Sequence, residues 1–396
     1  MDDRIGCDLF DGRTRLPAFV LLESALAHDI AVLADYCRTK DISFAPHGKT
    51  TMAPTIFRRQ VEAGAWAITV ADPWQAEVAV EAGIPRILIA NEVVDEAGLA
   101  WLEDALVADG PEIFVLADSI AGVERMARRL AGQARRQAVL VEVGVAGGRA
   151  GVRTVEEALA VAEAVERADG LVLAGVSLYE GPVSGADRNE RDAGIRRLTD
   201  TTREIVERLA PAFERSSRDE IIVSGGGSQS FDTVIDELAK PWSVGLPVRV
   251  VLRSGAYISH DHGFYERVSP FGLRAEPDDP RLRPAIEVWA SVLSTPEPGL
   301  AIVGAGRRDL PYDIDMPMLI KVRGETGGIR DVAGGATVRK LNDQHAFVDL
   351  DDGVTLEVGD RVGFGISHPC SAFDRWRWAI VVDDDYRILD VYELRF

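Results

Sequence analysis

The stretch AVLVEVGVAGGRAGVRTVEEALAVAEAVERADGLVLAGVSLY (138–179) decides the fold class. It begins with a short apolar run, continues as a charged helical pattern over 155–168, and ends in a second apolar run. The same alternation recurs from about residue 15 to 265, with a second clear helical pattern over 190–209. The apolar runs are PAFVLLE (17–23), ISFAPH (42–47), AWAITV (65–70), RILIAN (86–91), EIFVLAD (112–118), AVLVEVGV (138–145), LVLAGVSLY (171–179), EIIVSGGG (220–227) and VRVVLRSG (248–255).

These runs are continuously apolar, which is typical of strands covered on both faces in a parallel sheet. Roughly eight strand–helix units in about 250 residues predict a (β/α)8 barrel of the TIM type. A doubly wound sheet is the alternative that the same pattern allows.

The pattern changes after about residue 270, where period-two alternation and turn signals replace the helical spacing. The segment LRAEPDDPRLRP (273–284) is rich in proline and charge, which is typical of a junction. We therefore predict a barrel over 15–270, followed by an all-β C-terminal domain over 271–396 that also includes 1–14.

Charge and cysteine content narrow the class of protein. Lys and Arg number 44 against 64 Asp and Glu, so the formal charge of −20 disfavours nucleic acid and anionic membranes as partners. Cys7, Cys37 and Cys370 are too few for a disulfide framework. The opening MDDRIGCDLF has neither a basic leader nor an apolar run, and no apolar stretch reaches membrane-spanning length. We expect a cytoplasmic protein.

Lys49 follows the run ISFAPH and Gly48, so it is predicted at the carboxyl end of a strand, where barrel enzymes place catalytic residues. A lysine amine there can hold a carbonyl cofactor as a Schiff base. An exposed loop lysine is the other interpretation of this residue taken alone.

The segment SGGGS (224–228) lies between a predicted strand and the helical run 231–238. Its consecutive glycines allow backbone N–H groups to converge on an anion, and Ser224, Ser228 and Ser230 offer hydroxyl groups. The segment predicts a phosphate-binding loop, with a plain flexible turn as the alternative.

Two later segments concentrate reactive side chains. RSGAYISHDHGFYE (253–266) carries Tyr257, His260, Asp261 and His262, which we expect to line a pocket unless the loop is satisfied internally. His368 and Cys370 are separated by one residue in GFGISHPCSAFDRW. Strand spacing would point both side chains to one face, and imidazole with thiolate suits Zn²⁺ while leaving positions open for water and substrate.

Taken in order, PHGKT, GGRAGV, YEG, SGGGS and HPC resemble the metal-dependent fold-type III enzymes of pyridoxal 5′-phosphate (PLP) typified by D-serine dehydratase and D-threonine aldolase. The resemblance covers essentially the whole chain. It implies an alanine racemase-like barrel, a C-terminal β-domain and a homodimer. It also implies PLP and a divalent metal as cofactors, with zinc expected and manganese or magnesium as alternatives.

The resemblance assigns roles to residues of this chain. Lys49 matches the Schiff-base lysine, and His368 with Cys370 matches the zinc ligands of the dehydratase branch. The expected cofactor-binding residues are Lys49, His47, Arg149, Tyr179, Ser224, Gly225, Gly226, Gly227, Ser228 and Tyr257.

The metal pair also indicates the reaction. The aldolase branch carries a His-Cys-Asp pattern with a carboxylate where Cys370 stands, so the cysteine favours a dehydratase that releases a 2-oxo acid and ammonia. Ser-His-Pro-Cys-Ser is similar to enzymes acting on D-threo-3-hydroxyaspartate, and D-serine is the other expected substrate. An aldolase giving glycine and an aldehyde is the second hypothesis. A non-catalytic PLP carrier and a racemase are disfavoured because neither explains the HPC segment.

Overall fold

Eight of the nine apolar runs form parallel strands of one sheet in the computed structural model, which describes residues 2–133, 135–324 and 327–396. The first nine strands of the chain are β1 (Ala18–Leu22), β2 (Ser43–Phe44), β3 (Ile68–Val70), β4 (Arg86–Glu92), β5 (Glu112–Ala117), β6 (Gln137–Val143), β7 (Leu171–Leu178), β8 (Ile221–Gly225) and β9 (Val248–Leu252). The parallel sheet has the order β2-β9-β8-β7-β6-β5-β4-β3. The predicted barrel strands are confirmed.

The sheet closes because β2 also meets β3. The Trp66 N–H donates to Phe44 O at 2.8 Å, and the Thr69 N–H donates to Pro46 O at 2.9 Å. Every residue of β6 and β7 is buried, as continuous apolar runs predict for strands covered on both faces. Parallel strands in a closed sheet place all their carboxyl ends on the same side, and Lys49 and the glycine segment both follow such ends.

Helices follow the barrel strands. They are α1 (Glu23–Thr39), α2 (Pro54–Glu62), α3 (Pro73–Glu81), α4 (Glu96–Ala105), α5 (Ile120–Leu130), α6 (Val155–Arg167), α7 (Arg188–Arg208), α8 (Ala210–Arg215) and α9 (Phe231–Leu238). The start of α6 is set by Thr154, whose side chain caps the helix in a reciprocal pair with Glu157. Among the described residues, no helix combines the length and the apolar content needed to cross a bilayer.

The C-terminal strands form a second, mixed sheet. Its members after residue 285 are β10 (Ile286–Glu297), β11 (Leu300–Val303), β12 (Met318–Arg323), β13 (Ile329–Asp331), β14 (Ala336–Leu341), β15 (Ala346–Leu350), β16 (Arg361–Gly365), β17 (Trp378–Val382) and β18 (Ile388–Glu393). Two short helices accompany them, α10 (Phe264–Val268) and α11 (Cys370–Phe373). The order is β13-β12-β16-β10-β1-β17-β18, and β11 pairs with both β10 and β15, which in turn pairs with β14.

The first apolar run departs from its predicted place. β1 pairs antiparallel with β10 and parallel with β17, so PAFVLLE belongs to the mixed sheet instead of the barrel. Its burial is continuous over Ala18–Leu21, and a local pattern cannot distinguish one covered sheet from another.

The fold divides into two units. One contains 1–33, 50–55 and 256–396, and the other contains 34–49 and 56–255. The domain limits expected from the sequence, 15–270 and 271–396 with 1–14, stay a prediction.

A buried carboxylate anchors the core of the mixed sheet. Glu287 is fully buried and accepts hydrogen bonds from Trp289 Nε1 at 2.7 Å, from the Tyr386 hydroxyl at 2.7 Å and from Lys321 Nζ at 2.5 Å. Burial together with the neighbouring Glu287 charge raises the pKa of Tyr386 far above its usual range, so the hydroxyl stays a donor. Lys321 supplies the balancing positive charge.

Lys321→Met should therefore lower the free energy of unfolding by about 3–5 kcal/mol, because Glu287 would remain as an uncompensated buried charge. The matched control is Lys40→Met, which removes only the exposed pair with Asp236 and should change stability by less than about 1 kcal/mol. Denaturant unfolding measures both. Equal effects of the two substitutions would contradict the proposed anchoring role.

Candidate cofactor and metal sites

Lys49 lies where the sequence predicted it, at the carboxyl end of a barrel strand. The chain leaves β2 at Phe44, runs beside β3 as far as His47, and then turns through a 3₁₀ helix over Gly48–Thr50. Gly48 permits this turn, since a Cβ there would lie 2.7 Å from the ring of Phe57. The close packing of Gly48 fixes the backbone immediately before the lysine.

The surroundings of His47 are cationic. Burial lowers the pKa of His47 well below its usual range, and the positive charges of Lys49, Arg253 and Arg149 lower it further. The imidazole is therefore neutral. Its Nδ1 is buried and has no hydrogen-bond partner among the described residues. Three cationic side chains around one neutral ring make a local positive site on an acidic protein, which suits an anionic cofactor.

The glycine segment forms a tight loop between β8 and α9. Gly226 has φ 89°, which only glycine adopts easily, and a Cβ on Gly227 would lie 2.9 Å from the ring of Tyr179. The N-terminus of α9 carries no side-chain cap, so its backbone N–H groups are not occupied by a capping side chain. This loop has the features of an anion cup.

The serines around the loop differ in their roles. The Ser228 hydroxyl lies 2.9 Å from that of Ser254 and accepts a hydrogen bond from the Gly255 N–H at 3.2 Å. The Ser224 hydroxyl is buried and donates to Val251 O at 3.2 Å. Ser228 is therefore better placed to meet a phosphate than Ser224, whose hydroxyl hydrogen is already donated.

Arg149 and Tyr179 contact each other. The Arg149 guanidinium lies 4.4 Å from the centroid of the Tyr179 ring, a distance typical of a cation–π contact. The loop that carries Arg149 is held by Arg153, whose guanidinium donates to backbone carbonyls of Gly148, Arg149 and Ala150. The two side chains that the resemblance assigns to the surroundings of the cofactor ring are thus in contact, and their role at the ring stays a prediction.

Several buried charged residues near Arg149 and Tyr179 were not predicted from the sequence. Arg253 and Glu142 are 6% and 3% exposed, and Glu180 is 1% exposed. The Glu180 Oε1 accepts a hydrogen bond from the Gly227 N–H at 2.7 Å. Burial and a hydrogen bond to Glu142 raise the pKa of Glu92 to about 8, so Glu92 keeps its proton at neutral pH. These charged residues lie at or next to the ends of predicted strands, and that position is the sequence signal that could have identified them.

These groups fit PLP. A glycine loop without room for side chains and a positive surrounding match a phosphate, and a lysine amine at the same end of the barrel matches an aldehyde. The structure thus brings together Lys49, His47, Arg149, Tyr179, Gly225–Gly227 and Ser228 in one unit. Tyr257 is fully buried in the other unit, and its predicted role stays a prediction.

The metal pair lies in the unit that contains the mixed sheet. His368 has φ 74° and Cys370 begins α11, so the predicted strand geometry is wrong. Pro369 has helical backbone angles and not the extended angles of a strand. The resulting turn still brings the side chains of His368 and Cys370 into contact. The Cys370 Sγ also lies 3.4 Å from the Thr50 hydroxyl.

Hydrogen bonds orient the imidazole of His368. Its Nδ1 donates to Asp313 Oδ2 at 2.5 Å, and Ser371 donates to the other oxygen of Asp313 at 2.6 Å. A hydrogen bond with Cys370 raises the pKa of His368 to about 9, and Asp313 adds to this rise. A carboxylate on Nδ1 leaves Nε2 as the ligand atom, which is the usual arrangement of metal-binding histidines.

The segment 256–266 supports this turn. Asp261 Oδ2 accepts the His368 N–H at 2.9 Å, and Asp261 Oδ1 accepts the N–H groups of Gly263 and Tyr265. His260 is buried and donates to Glu266 at 2.7 Å. Asp261 and His260 are thus bonded within their own segment and to His368, and their expected place in a pocket lining stays a prediction. Burial lowers the pKa of His262 to about 4 and keeps it neutral.

The donor set fits a divalent ion with two protein ligands. Within the described parts of the chain, no group of three or more His, Cys, Asp or Glu side chains is arranged to hold a metal. His368 and Cys370 supply nitrogen and sulfur, which zinc binds well, and the remaining positions would be taken by water or substrate.

Comparisons with known proteins agree with both halves of this description. Residues 23–237 match the model of the alanine racemase N-terminal domain, and residues 285–382 match that of a putative serine dehydratase domain. The chain belongs to the fold-type III, alanine racemase-like family of PLP enzymes.

Two curated relatives span nearly the whole chain. A D-threonine aldolase from Arthrobacter sp. is 26% identical over 389 residues, 96% of this chain and 92% of the relative. A 3-hydroxy-D-aspartate aldolase from Paracoccus denitrificans (strain Pd 1222) is 25% identical over 359 residues, 89% and 84% of the two chains.

Solved structures give the same fold. A D-threonine aldolase from Filomicrobium marinum superposes with a TM-score of 0.82 at 27% identity, over 98% of this chain and 97% of the other. A D-threo-3-hydroxyaspartate dehydratase from Delftia sp. HT23 has a TM-score of 0.72 at 21% identity, over 97% and 98%, and shows the fold alone.

Lys49→Ala should abolish covalent cofactor attachment, because no other amine would take the place of this lysine. Borohydride reduction of wild-type protein incubated with PLP should fix the cofactor on Lys49, as peptide mass mapping would show. Lys40→Ala, which removes an exposed lysine, is the control and should label fully. A reduced adduct at another lysine in the wild type would refute the assignment.

Removal of a metal ligand should deplete the bound metal. We expect His368→Ala and Cys370→Ala to lose most of the divalent metal that co-purifies with the wild type. Asp313→Asn should weaken metal binding by about 10–100-fold through the orientation of His368. Elemental analysis after gel filtration measures all three, with Cys7→Ser as the control for loss of a thiol. Wild-type metal content in both ligand variants would rule the pair out.

Proposed function

We propose that this protein is a PLP- and divalent-metal-dependent lyase of D-3-hydroxyamino acids. Its reaction is the elimination of the β-hydroxyl group of a substrate such as D-serine or D-threo-3-hydroxyaspartate, which gives a 2-oxo acid and ammonia. The observation that carries this proposal is the presence, in one fold-type III chain, of a lysine and an anion cup at the same end of the barrel and of a paired His368 and Cys370.

Each group in the barrel has a task. When bound, PLP supplies an aldehyde that couples to amines and a ring that withdraws electrons from Cα. Lys49 Nζ would hold the cofactor aldehyde and, once the substrate amine replaced it, would be free to accept the α-proton. Arg149 and Tyr179 would orient the ring, while the glycine loop and Ser228 would hold the phosphate.

The hydroxyl group is a poor leaving group, and this is where a divalent ion contributes as a Lewis acid. His368 Nε2 and Cys370 Sγ would hold that ion, and Asp313 would keep the imidazole in the tautomer that exposes Nε2. A D-threo-3-hydroxyaspartate dehydratase has been solved as a histidine variant and, in metal-free form, as a variant of the cysteine two positions further along. That spacing equals the spacing of His368 and Cys370, which supports the proposed ligand pair without deciding between the two reactions.

A second candidate is the retro-aldol reaction, which cleaves Cα–Cβ and gives glycine and an aldehyde. The curated relatives favour it, since proteins named D-threonine aldolase and 3-hydroxy-D-aspartate aldolase match this chain over most of its length. Both reactions start from the same attachment of a D-3-hydroxyamino acid, and they differ in which bond to Cβ breaks. We also propose zinc as the metal, a homodimer as the assembly and the cytoplasm as the location, on the basis of the family resemblance.

The products separate the two reactions. Purified protein with PLP and zinc should convert D-serine or D-threo-3-hydroxyaspartate into equimolar 2-oxo acid and ammonia, and a chelator should reduce the rate to background. The borohydride-fixed adduct on Lys49 should persist in the chelator. D-Threonine is included because glycine with acetaldehyde would establish the aldolase instead. The L-enantiomers are the control, and their equal consumption would contradict the proposal.

A further inference from the structure

Glu180 is a buried carboxyl group that the proposed reaction does not use. It lies two residues beyond the end of β7 and is 1% exposed. Its Oε1 accepts the Gly227 N–H at 2.7 Å. A residue of the chain therefore bonds the backbone of the very loop that is expected to hold a phosphate.

The contact is direct because Gly227 has no side chain. A Cβ at this position would lie 2.9 Å from the Tyr179 ring and 3.2 Å from Glu180 Oε1. The backbone of Gly227 thus packs against the segment that follows β7. With Gly226 at φ 89°, the loop has a conformation that its glycines allow but do not by themselves enforce.

Arg253, which follows β9, bonds to the chain at the ends of β7 and β8. Its backbone N–H donates to Gly226 O at 3.2 Å, and its guanidinium donates to Leu178 O. Burial raises the pKa of Glu180, whereas the positive charges of Arg253 and Arg191 oppose that rise. Glu180 and Arg253 thus join the ends of β7, β8 and β9 through hydrogen bonds on either side of the glycine loop.

The second oxygen of Glu180 is also informative. Glu180 Oε2 is buried and has no hydrogen-bond partner among the described residues. Burial of an unpaired polar atom is unfavourable by about 1–3 kcal/mol, and such atoms in native structures call for an explanation. If position 180 had only a structural role, an apolar side chain would serve it, or a polar side chain whose atoms are all hydrogen-bonded.

We propose that Glu180 is a positioning residue that holds Gly227, and with it the glycine loop, in the conformation required by the cofactor phosphate. The inference rests on the proposed function, because it takes PLP as the ligand of this loop. Flexible glycines would otherwise have to be ordered when the phosphate binds, and prior ordering by Glu180 removes that entropic penalty. The effect of Glu180 should therefore be confined to the phosphate group of the cofactor.

Comparison of PLP with pyridoxal tests this. Both ligands couple to Lys49 through the same aldehyde, and only PLP carries the phosphate. Glu180→Ala should raise the Kd of PLP by about tenfold to a hundredfold and leave that of pyridoxal within about threefold, as expected for loss of a buried charged hydrogen bond. Glu180→Gln keeps an oxygen that accepts the Gly227 N–H and should restore most of the PLP affinity. Fluorescence titration of the full-length apoprotein gives the dissociation constants of both ligands for the wild type and for each variant.

Two further variants keep the test decisive. Glu180→Asp has a shorter side chain that does not reach Gly227, so it should reproduce the phosphate-specific loss if the alanine variant does not fold. Glu112→Gln is the matched control, since Glu112 is a half-buried carboxylate at the opposite end of the barrel, bonded by Arg86 at 2.7 Å and Arg218 at 2.8 Å. It should change the thermal midpoint but not the ratio of the PLP and pyridoxal constants.

The outcomes are distinct. Unchanged PLP affinity in Glu180→Ala, or an equal loss for PLP and pyridoxal, would overturn the inference and leave the proposed function intact. A glutamine variant as weak as the alanine variant would overturn the role of Glu180 as the acceptor for Gly227. Failure of the wild type to bind PLP at all would instead refute the proposed function.

Discussion

The barrel of this protein depends on buried charged side chains that compensate one another. Arg253 is buried at the end of β9, and the negative charges of Glu142 and Glu180 favour its charged form against the effect of burial. Charges buried in this way are stable only as a set, because any one of them alone would carry a desolvation penalty of several kcal/mol. The set stands at the carboxyl ends of neighbouring strands. These buried charges thus link the strand ends of the closed sheet with the positive surroundings of Lys49 and with the glycine loop.

Sequence reasoning reached the barrel because continuous apolar runs and the helices between them are local signals. It placed Lys49 and the glycine loop correctly, since both directly follow strands in the chain. It failed for β1, whose partners β10 and β17 are remote in sequence, and for His368, whose left-handed backbone depends on Asp261 more than one hundred residues earlier. Glu180 and Asp313 were not predicted for the same reason, because their importance comes from contacts that form only in the folded chain.

One framework can serve two reactions of the same substrates. Attachment of a D-3-hydroxyamino acid through its amine weakens bonds at Cα in either case, and the groups around Cβ decide which bond breaks. His368 and Cys370 are the proposed metal ligands of a chain whose relatives over most of its length are named as aldolases, whereas a structural neighbour is named as a dehydratase. Fold and cofactor are therefore shared properties of these enzymes. On the proposed function, the choice of reaction depends on a few side chains near Cβ of the substrate.

The left-handed backbone of His368 limits how this centre could be redesigned. At φ 74°, asparagine, aspartate and glycine are tolerated, while β-branched residues are strongly disfavoured. An engineer who wished to favour a harder ion, such as manganese, could introduce aspartate at this position without disturbing the main chain. Valine or isoleucine would instead shift the turn and displace the neighbouring thiol. Backbone torsion, as much as donor chemistry, thus restricts the accessible repertoire of metals.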